Sequence, residues 1–325
     1  MKIPTLLSFL SILVPGLALA AEPPQTDLER LRQAEVVIVR GSADHMEQVM
    51  RRTHMKYVVV DPADLPQLPL HGQQVLMVNC TGEMGPASRE RVRRFVTAGG
   101  LLYTTDHAVH YLIEKIFPGY IKWNGKTSTE EIFPMEVAGD RGLLQKIGSV
   151  GHPRWQVASG GYLFDVVNTH AVEVLMSSKQ VGARYGAPAL GVRFHVGDGQ
   201  VVHVTGHFFT QPGQRPEVAD AGRAFEQMSA NVVAEKRSDN DRINGLYNQT
   251  PKQAVVMRSA PEPSAAPAAS MDDVRLGASS GGGKSAPQGV STDTSKKLRV
   301  LERRAKASKV RDTEGNEGWV DNDAL

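Results

Sequence analysis

Two imidazoles, His107 and His110, stand beside Asp106 in the run Thr104-Thr105-Asp106-His107-Ala108-Val109-His110. The chain's only cysteine, Cys80, lies one expected strand earlier. A carboxylate next to imidazoles is the equipment of general acid–base catalysis, because it orients the ring and stabilises its charged form. The same residue types ligate metal ions, and a thiol of lowered pKa is a covalent nucleophile. His207, in Val204-Thr205-Gly206-His207, is the remaining candidate. What any of them does depends on the elements that hold them.

Val75 to Val78 is an apolar strand opening into Asn79-Cys80-Thr81-Gly82. A helix follows, then Gly99-Gly100, then a strand from Leu101 to Thr104 that stops at Thr105-Asp106-His107. In a parallel α/β sheet the ends of consecutive strands lie side by side, where ligands usually bind. Upstream, Asp27 to Gln33 reads as a short helix and Val36 to Val39 as a buried first strand. Ser42 to Thr53 reads as a helix with Ser42 at its N-cap, and Tyr57 to Val60 as the second strand. Short alternating units of this kind predict a doubly wound, mostly parallel α/β sheet. Later, Val172 to Met176, Leu190 to His195 and Val201 to Thr205 read as strands, the last two joined by a Gly197-Asp198-Gly199-Gln200 hairpin turn. Ala219 to Ala234 reads as an amphipathic helix covering the sheet.

With 325 residues, 41% hydrophobic and 22% charged, the chain has room for one large domain and a small one. A net charge of +2, with no basic run carrying interleaved aromatics, excludes a nucleic-acid partner. Residues 1–21 have the pattern of a secretory signal peptide: Lys2, an apolar run from Leu6 to Val14, and Ala18-Leu19-Ala20 before Ala21. The apolar run is broken by Pro15-Gly16 and is shorter than the ~20 residues of a spanning helix. The expected mature chain has no transmembrane segment and is periplasmic or secreted. A lone cysteine permits no internal disulfide, so an ordinary core must hold the fold.

The expected site supports several readings. Asp106, at a strand end before a helix, suits an N-cap. Helical spacing would place Asp106 and His110 on one face, so Asp106, His107 and His110, joined by His207, form a candidate metal set. Alternatively, His207 or His107 acts as general acid–base, tuned by Asp106. His203 alternates with Val202 and Val204 in a strand and reads as structural, while His170 sits in a loop. Phe208-Phe209 reads as packing. Gly160-Gly161 lacks the rest of a dinucleotide fingerprint, and with no phosphate-binding glycine loop no cofactor is expected.

From about Glu35 to Glu235 the chain resembles the class I glutamine amidotransferase-like fold, especially its trehalose-utilisation-type relatives. The residues that carry the resemblance are Val75 to Cys80, Arg94-Phe95-Val96-Thr97-Ala98-Gly99-Gly100, Leu101 to Thr104, and Gly199 through His207-Phe208. The resemblance implies a flavodoxin-like α/β domain. It places the nucleophile turn at Thr104-Thr105-Asp106-His107-Ala108, which contains neither Cys nor Ser, with Cys80 one strand away. It therefore implies the fold without amidotransfer.

From 251 to 272 the composition shifts to Pro, Ala and Ser, as in SAPEPSAAPAAS, the signature of an extended linker. Residues 273–325 then resume short β-like runs at Leu298 to Leu301, Ser308 to Arg311 and Gly318 to Val320, with a turn at Glu314-Gly315-Asn316. Val300-Leu301-Glu302, Lys309-Val310-Arg311 and Gly318-Trp319-Val320 resemble the second half of a bacterial SH3-like domain, in which Trp319 would close a small core. That resemblance implies attachment to cell-wall peptide or to an envelope protein. The expectation is an exported protein of three parts: an α/β domain over 22–250, the linker, and an SH3-like β-barrel. Its expected role is binding or scaffolding in the envelope. The alternative is a hydrolase or sugar-modifying enzyme, metal-assisted or not, that uses Asp106, His107 and His207.

Overall fold

Runs of consecutive apolar residues build the centre of the molecule, because strands covered on both faces need no polar side. The computed structural model describes residues 25–137, 142–144, 147, 153–207, 216–252, 254–260, 290–292 and 295–325. The expected signal peptide, most of the Pro/Ala/Ser tract, the first part of the C-terminal module and Phe208-Phe209 lie outside the described residues.

In chain order the α/β part comprises α1 (Gln25–Gln33), β1 (Val36–Val39), α2 (Met46–Arg52), β2 (Tyr57–Val60), β3 (Val75–Val78), α3 (Pro86–Thr97) and β4 (Leu101–Thr105). A π-helical turn (Val109–Ile113) leads into α4 (Glu114–Ile116). An insertion follows, built of β5 (Ile121–Thr127), β6 (Glu131–Pro134), β7 (Glu136–Val137), β8 (Arg154–Val157) and β9 (Tyr162–Val166). Then come β10 (Val172–Ser177), α5 (Lys179–Tyr185), β11 (Ala189–Val196), β12 (Gly199–Val204) and α6 (Pro216–Leu246). Eight strands form one sheet in the order β2-β1-β3-β4-β12-β11-β10-β7. From β2 to β12 neighbours run parallel; β11, β10 and β7 are added antiparallel. The fold is thus mixed α/β around a large central sheet, consistent with a flavodoxin-like arrangement.

Alternate residues of each strand feed two cores. Val36, Ile38, Val75, Met77, Leu101 and Tyr103 pack with Met46, Val49 and Met50 of α2 and with Phe225, Met228 and Val232 of α6. Val37, Val39, Leu76, Val78 and Leu102 face Val92, Phe95 and Val96 of α3. The second helix differs from the expectation: it begins at Met46, and Ser42 is not its cap. Instead the Asn79 side chain, at the end of β3, accepts the Met46 N–H at 3.1 Å. Ser42 and Ala43 turn their N–H groups to the Cys80 carbonyl at 2.9 and 3.1 Å, which ties the loop after β1 to the loop after β3.

The C-terminal module contains β13 (Val255–Met257), β14 (Val290–Thr292), β15 (Leu298–Arg303), β16 (Ala307–Asp312) and β17 (Glu317–Asp321). The last three form an antiparallel sheet, and β13 pairs with β14. Val255–Met257 falls inside the expected linker, so the chain there resumes strand structure before the Pro/Ala/Ser tract ends. Trp319 is buried, with the Arg304 guanidinium 4.4 Å above its ring.

The module is seated against the end of the sheet where the parallel strands begin. Asp198, in the β11–β12 turn, is nearly buried and accepts Arg311 Nη1 at 2.9 Å, and Arg299 pairs with it too. Arg311 also donates to the Thr97 carbonyl at 2.7 Å. Arg91, 2% exposed, donates to the carbonyls of Leu68, Leu70 and Glu314 at 3.1, 2.7 and 3.1 Å. Breaking a buried pair strands the surviving charge, so Asp198→Asn is expected to cost about 3 kcal/mol. Denaturant unfolding would measure it. In a double-mutant cycle with Arg311→Ala, the two losses should add to more than the double variant's loss; strict additivity would show that the pair does not hold the seat.

Candidate functional site

At the opposite end of the sheet, the parallel strands deliver four loops to one place. β1 leads to Asp44, β3 to Asn79-Cys80, β4 to Asp106-His107, and β12 to Gly206-His207. The chain turns sharply at Asp106, whose φ of +48° lies in the left-handed region. Asp tolerates that region better than most residues do. Its N–H remains on the ladder, donating to the Val204 carbonyl at 2.9 Å, while its own carbonyl receives the Val109 N–H at 3.1 Å. The turn expected from the sequence is therefore present, with a carboxylate at its apex.

Asp106 is fully buried. One carboxylate oxygen, Oδ1, accepts the Tyr162 N–H at 2.6 Å. The approach requires Gly161, since a Cβ there would lie 2.8 Å from Asp106 Oδ2 and 2.8 Å from Ser128 Oγ. The other oxygen, Oδ2, makes no hydrogen bond and lies 3.4 Å from His207 Nε2, which is likewise buried without one. Burial raises the Asp106 pKa, opposed by the His207 imidazole, by the Tyr162 N–H and by His107. His207 as a whole is about a quarter exposed, so its ring spans the distance from the buried carboxylate to solvent.

His107 is held differently. Its Nε2 donates to the Gly160 carbonyl at 2.9 Å, which fixes the proton on that nitrogen, and lies 3.6 Å from Asp106 Oδ1. The ring packs on Tyr162 with centroids 4.0 Å apart. Tyr162 is stacked in turn on Trp123 at 4.3 Å. His110 does not join Asp106: its Nδ1 is 3.2 Å from Glu114 Oε2, and its ring meets Trp123 at 5.2 Å. The wider π-helical turn carries His110 around to the insertion, a local irregularity found often at functional sites. Among the described residues no three His, Cys, Asp or Glu side chains are grouped as a metal ion requires. The candidate set of Asp106, His107 and His110 is accordingly divided: Asp106 has His107 and His207 at its two oxygens, and His110 stands with Glu114 and Trp123.

The remaining candidates are internal. Cys80 is fully buried, and burial, with the Asp106 charge nearby, pushes its thiol up to about 12. It is no nucleophile at neutral pH. His203 is also fully buried, bonded through Nδ1 to Thr104 Oγ1 at 2.9 Å, and burial depresses its pKa to about 3. His170 is exposed on its loop. Sequence reasoning missed Asp44, which is buried and accepts the Thr105 hydroxyl at 2.7 Å and the His45 N–H at 2.8 Å. It missed Tyr162 and Trp123 as well. The one signal for them was Gly160-Gly161, whose small residues admit the close backbone approach to Asp106.

No protein-family model matches the chain, and no curated protein does. Solved structures resemble parts of it at low identity. A putative ThuA-like protein from Bacteroides uniformis is 12% identical with a TM-score of 0.46, covering 63% of this chain and 95% of that one. Another from Parabacteroides merdae is 11% identical with a TM-score of 0.44, covering 67% and 92%. A β-galactosidase from Bacillus circulans sp. alkalophilus is 15% identical with a TM-score of 0.43; 70% of this chain matches 34% of that enzyme. The structural neighbours thus include ThuA-like proteins, and the chemistry of the site must be read from its own residues.

Two measurements follow from these environments. A thiol reagent at pH 8 should leave Cys80 unmodified in the folded chain and label it fully in denaturant; rapid native labelling would contradict its burial. For His203, the unfolded chain takes up a proton near pH 6.5, whereas the folded chain refuses it until about pH 3. Unfolding therefore binds a proton across that window, and stability falls as pH is lowered through it. His203→Gln should flatten the decline seen in denaturation midpoints between those pH values; an unchanged slope would refute the contribution.

Proposed function

We propose that the α/β domain is an enzyme, a hydrolase or sugar-modifying protein, working by general acid–base catalysis from the Asp106–His207 pair. One observation carries this reading: a carboxylate buried at the apex of the elbow, with an unbonded oxygen 3.4 Å from the unbonded Nε2 of a histidine whose side chain is about a quarter exposed. Asp106, with Oδ2 3.4 Å from Nε2, orients the His207 ring. His207 takes a proton from a water or a substrate hydroxyl and returns it to the leaving group. No protein nucleophile is required, which suits a thiol held near 12. His107, pinned by the Gly160 carbonyl, holds the turn in place beside the same carboxylate. Trp123 and Tyr162 form an apolar wall on which a substrate ring would rest.

The test is turnover of chromogenic esters, amides and glycosides by the full chain. His207→Gln, a substitution at a partly exposed side chain, should lower kcat by at least about 10²-fold with the fold intact by circular dichroism. Asp106→Asn should lower it comparably. An activity indifferent to His207→Gln, or no turnover of any of the three classes, would sink the proposal.

A second reading concerns the C-terminal module. Its three-stranded antiparallel sheet and the β13–β14 pair, packed around Val255, Met257, Leu298, Val310 and Val320 rather than around Trp319, favour an SH3-like fold attaching the chain to cell-wall peptide or an envelope protein in the periplasm or outside the cell. On this reading the protein binds or scaffolds in the envelope, whatever its α/β domain catalyses. Retention on isolated cell wall should be lost when Val274 to Leu325 is removed. Equal retention of both forms would count against the module as the attachment point.

A further inference from the structure

Where the module meets the α/β domain, the two surfaces enclose a cleft of about 550 Å³. That volume falls within the range of small-ligand sites, which favour boundaries between structural units. One wall comes from α1, the loop before β3 and the end of α6; the other comes from the module, at 295–297 and 313–314. The charged lining is unbalanced. Arg32, Lys296 and Lys297 contribute three cations, His71 is the one imidazole, and Glu314 is the one carboxylate. Glu314 is already engaged by Lys296 at 3.0 Å. Arg32 and Lys297 make no ion pair among the described residues, and both are exposed to the cleft's solvent. His71 is held by the Arg32 carbonyl at 2.9 Å, and burial lowers its pKa, so it adds a neutral ring.

The cleft is also rigidly framed. Buried Arg91 donates to Leu68 and Leu70 on one wall and to Glu314 on the other, holding them at a fixed spacing. Asp312, itself buried, accepts the N–H groups of Glu314 and Asn316, both at 2.9 Å, and fixes the turn that carries Glu314. A site so framed loses little freedom on binding. Its free cations stand on opposite walls, Arg32 on α1 and Lys297 on the module, with amides and hydroxyls between them. A compact polyanion would need its donors converging on one point. Separated single charges instead suit an extended ligand bearing spaced carboxylates, which Arg binds as a fork and Lys as a point charge.

We propose that this cleft is a binding site for an extended anionic ligand carrying two or more carboxylates, recognised by Arg32 and Lys297. The ligand class has two sources, a free polycarboxylic acid or an acidic peptide. Isothermal titration calorimetry of the full chain would use adipate, a linear dicarboxylate, in one arm and N-acetylated Glu-Ala-Glu in the other. Saturable binding is expected in at least one arm, weakened at least about tenfold by the Arg32→Gln/Lys297→Gln double variant and by raised salt. Tighter binding of adipate would identify the free acid, and tighter binding of the tripeptide the peptide. Lys306→Gln, at an exposed lysine of the module outside the cleft, should bind as the unaltered chain does. Both substituted side chains are exposed, and unchanged denaturation midpoints would show that the fold is retained. No saturable heat with either probe, or binding indifferent to the double variant, would overturn the proposal.

Discussion

A carboxylate taken wholly out of water must be met by donors or lose its charge, and Asp106 imposes that condition on everything around it. Its Oδ1 is satisfied by a backbone N–H from Tyr162, far along the chain, so the insertion between β4 and β10 has to fold back over the elbow. That contact requires Gly161, because any Cβ there would occupy the carboxylate's space. The insertion is held down further by Trp155, whose indole donates to the Thr205 carbonyl at 2.6 Å, just before His207. Satisfying that oxygen thus brings Tyr162, with Trp123 stacked on it, over the elbow, leaving His107 beside Oδ1 and His207 at Oδ2. The site is a consequence of burying a charge as much as of placing a catalyst.

The same physics governs the far end of the sheet with the sign reversed. Arg91 is a buried cation met only by carbonyl oxygens, and burial with Arg94 nearby pushes its pKa down to about 10. Its third acceptor, Glu314, belongs to the C-terminal module, so seating the module is what completes the hydrogen bonding of Arg91. Asp198 makes the reciprocal demand from the α/β side and is met by Arg311 and Arg299. A module seated in this way lies against the strand starts, away from the Asp106 site at the strand ends, so any ligand it takes is separate from that site's chemistry.

Much of the sheet was legible because its strands announce themselves locally. Val36–Val39, Tyr57–Val60 and Val75–Val78 are unbroken apolar runs, and Gly197-Asp198 turns the chain between two of the later strands. The elbow was legible too, as a strand ending in polar residues. What could not be read were pairings decided by distant segments. Asn79 takes the cap that Ser42 was expected to supply, because the loop after β1 spends its N–H groups on the Cys80 carbonyl. Val255–Met257 sits in a composition typical of linkers, yet its partner, Val290–Thr292, lies beyond the Pro/Ala/Ser tract. His110 followed from α-helical spacing only on the assumption that the turn after the elbow was α-helical; its π-helical path sends the ring to Glu114 and Trp123.

An elbow that presents a carboxylate differs in kind from one that presents a nucleophile. A nucleophile must be accessible and must carry a lowered pKa, so its turn points outward and is fed by donors that stabilise the anion. Asp106 has the opposite setting: it is covered completely, and burial raises its pKa. A carboxylate in that position is buried away from any attacking approach and is placed instead to hold an imidazole, with Oδ2 3.4 Å from His207 Nε2. The left-handed turn at Asp106 then serves to aim Oδ2 at His207 and Oδ1 at the Tyr162 N–H at once. Cys80 fits the same logic, for a thiol packed beneath an anion is held in its protonated, inert form. The group of the site that reaches solvent from Asp106 Oδ2 is therefore the His207 ring, and the buried residues around it determine where it points.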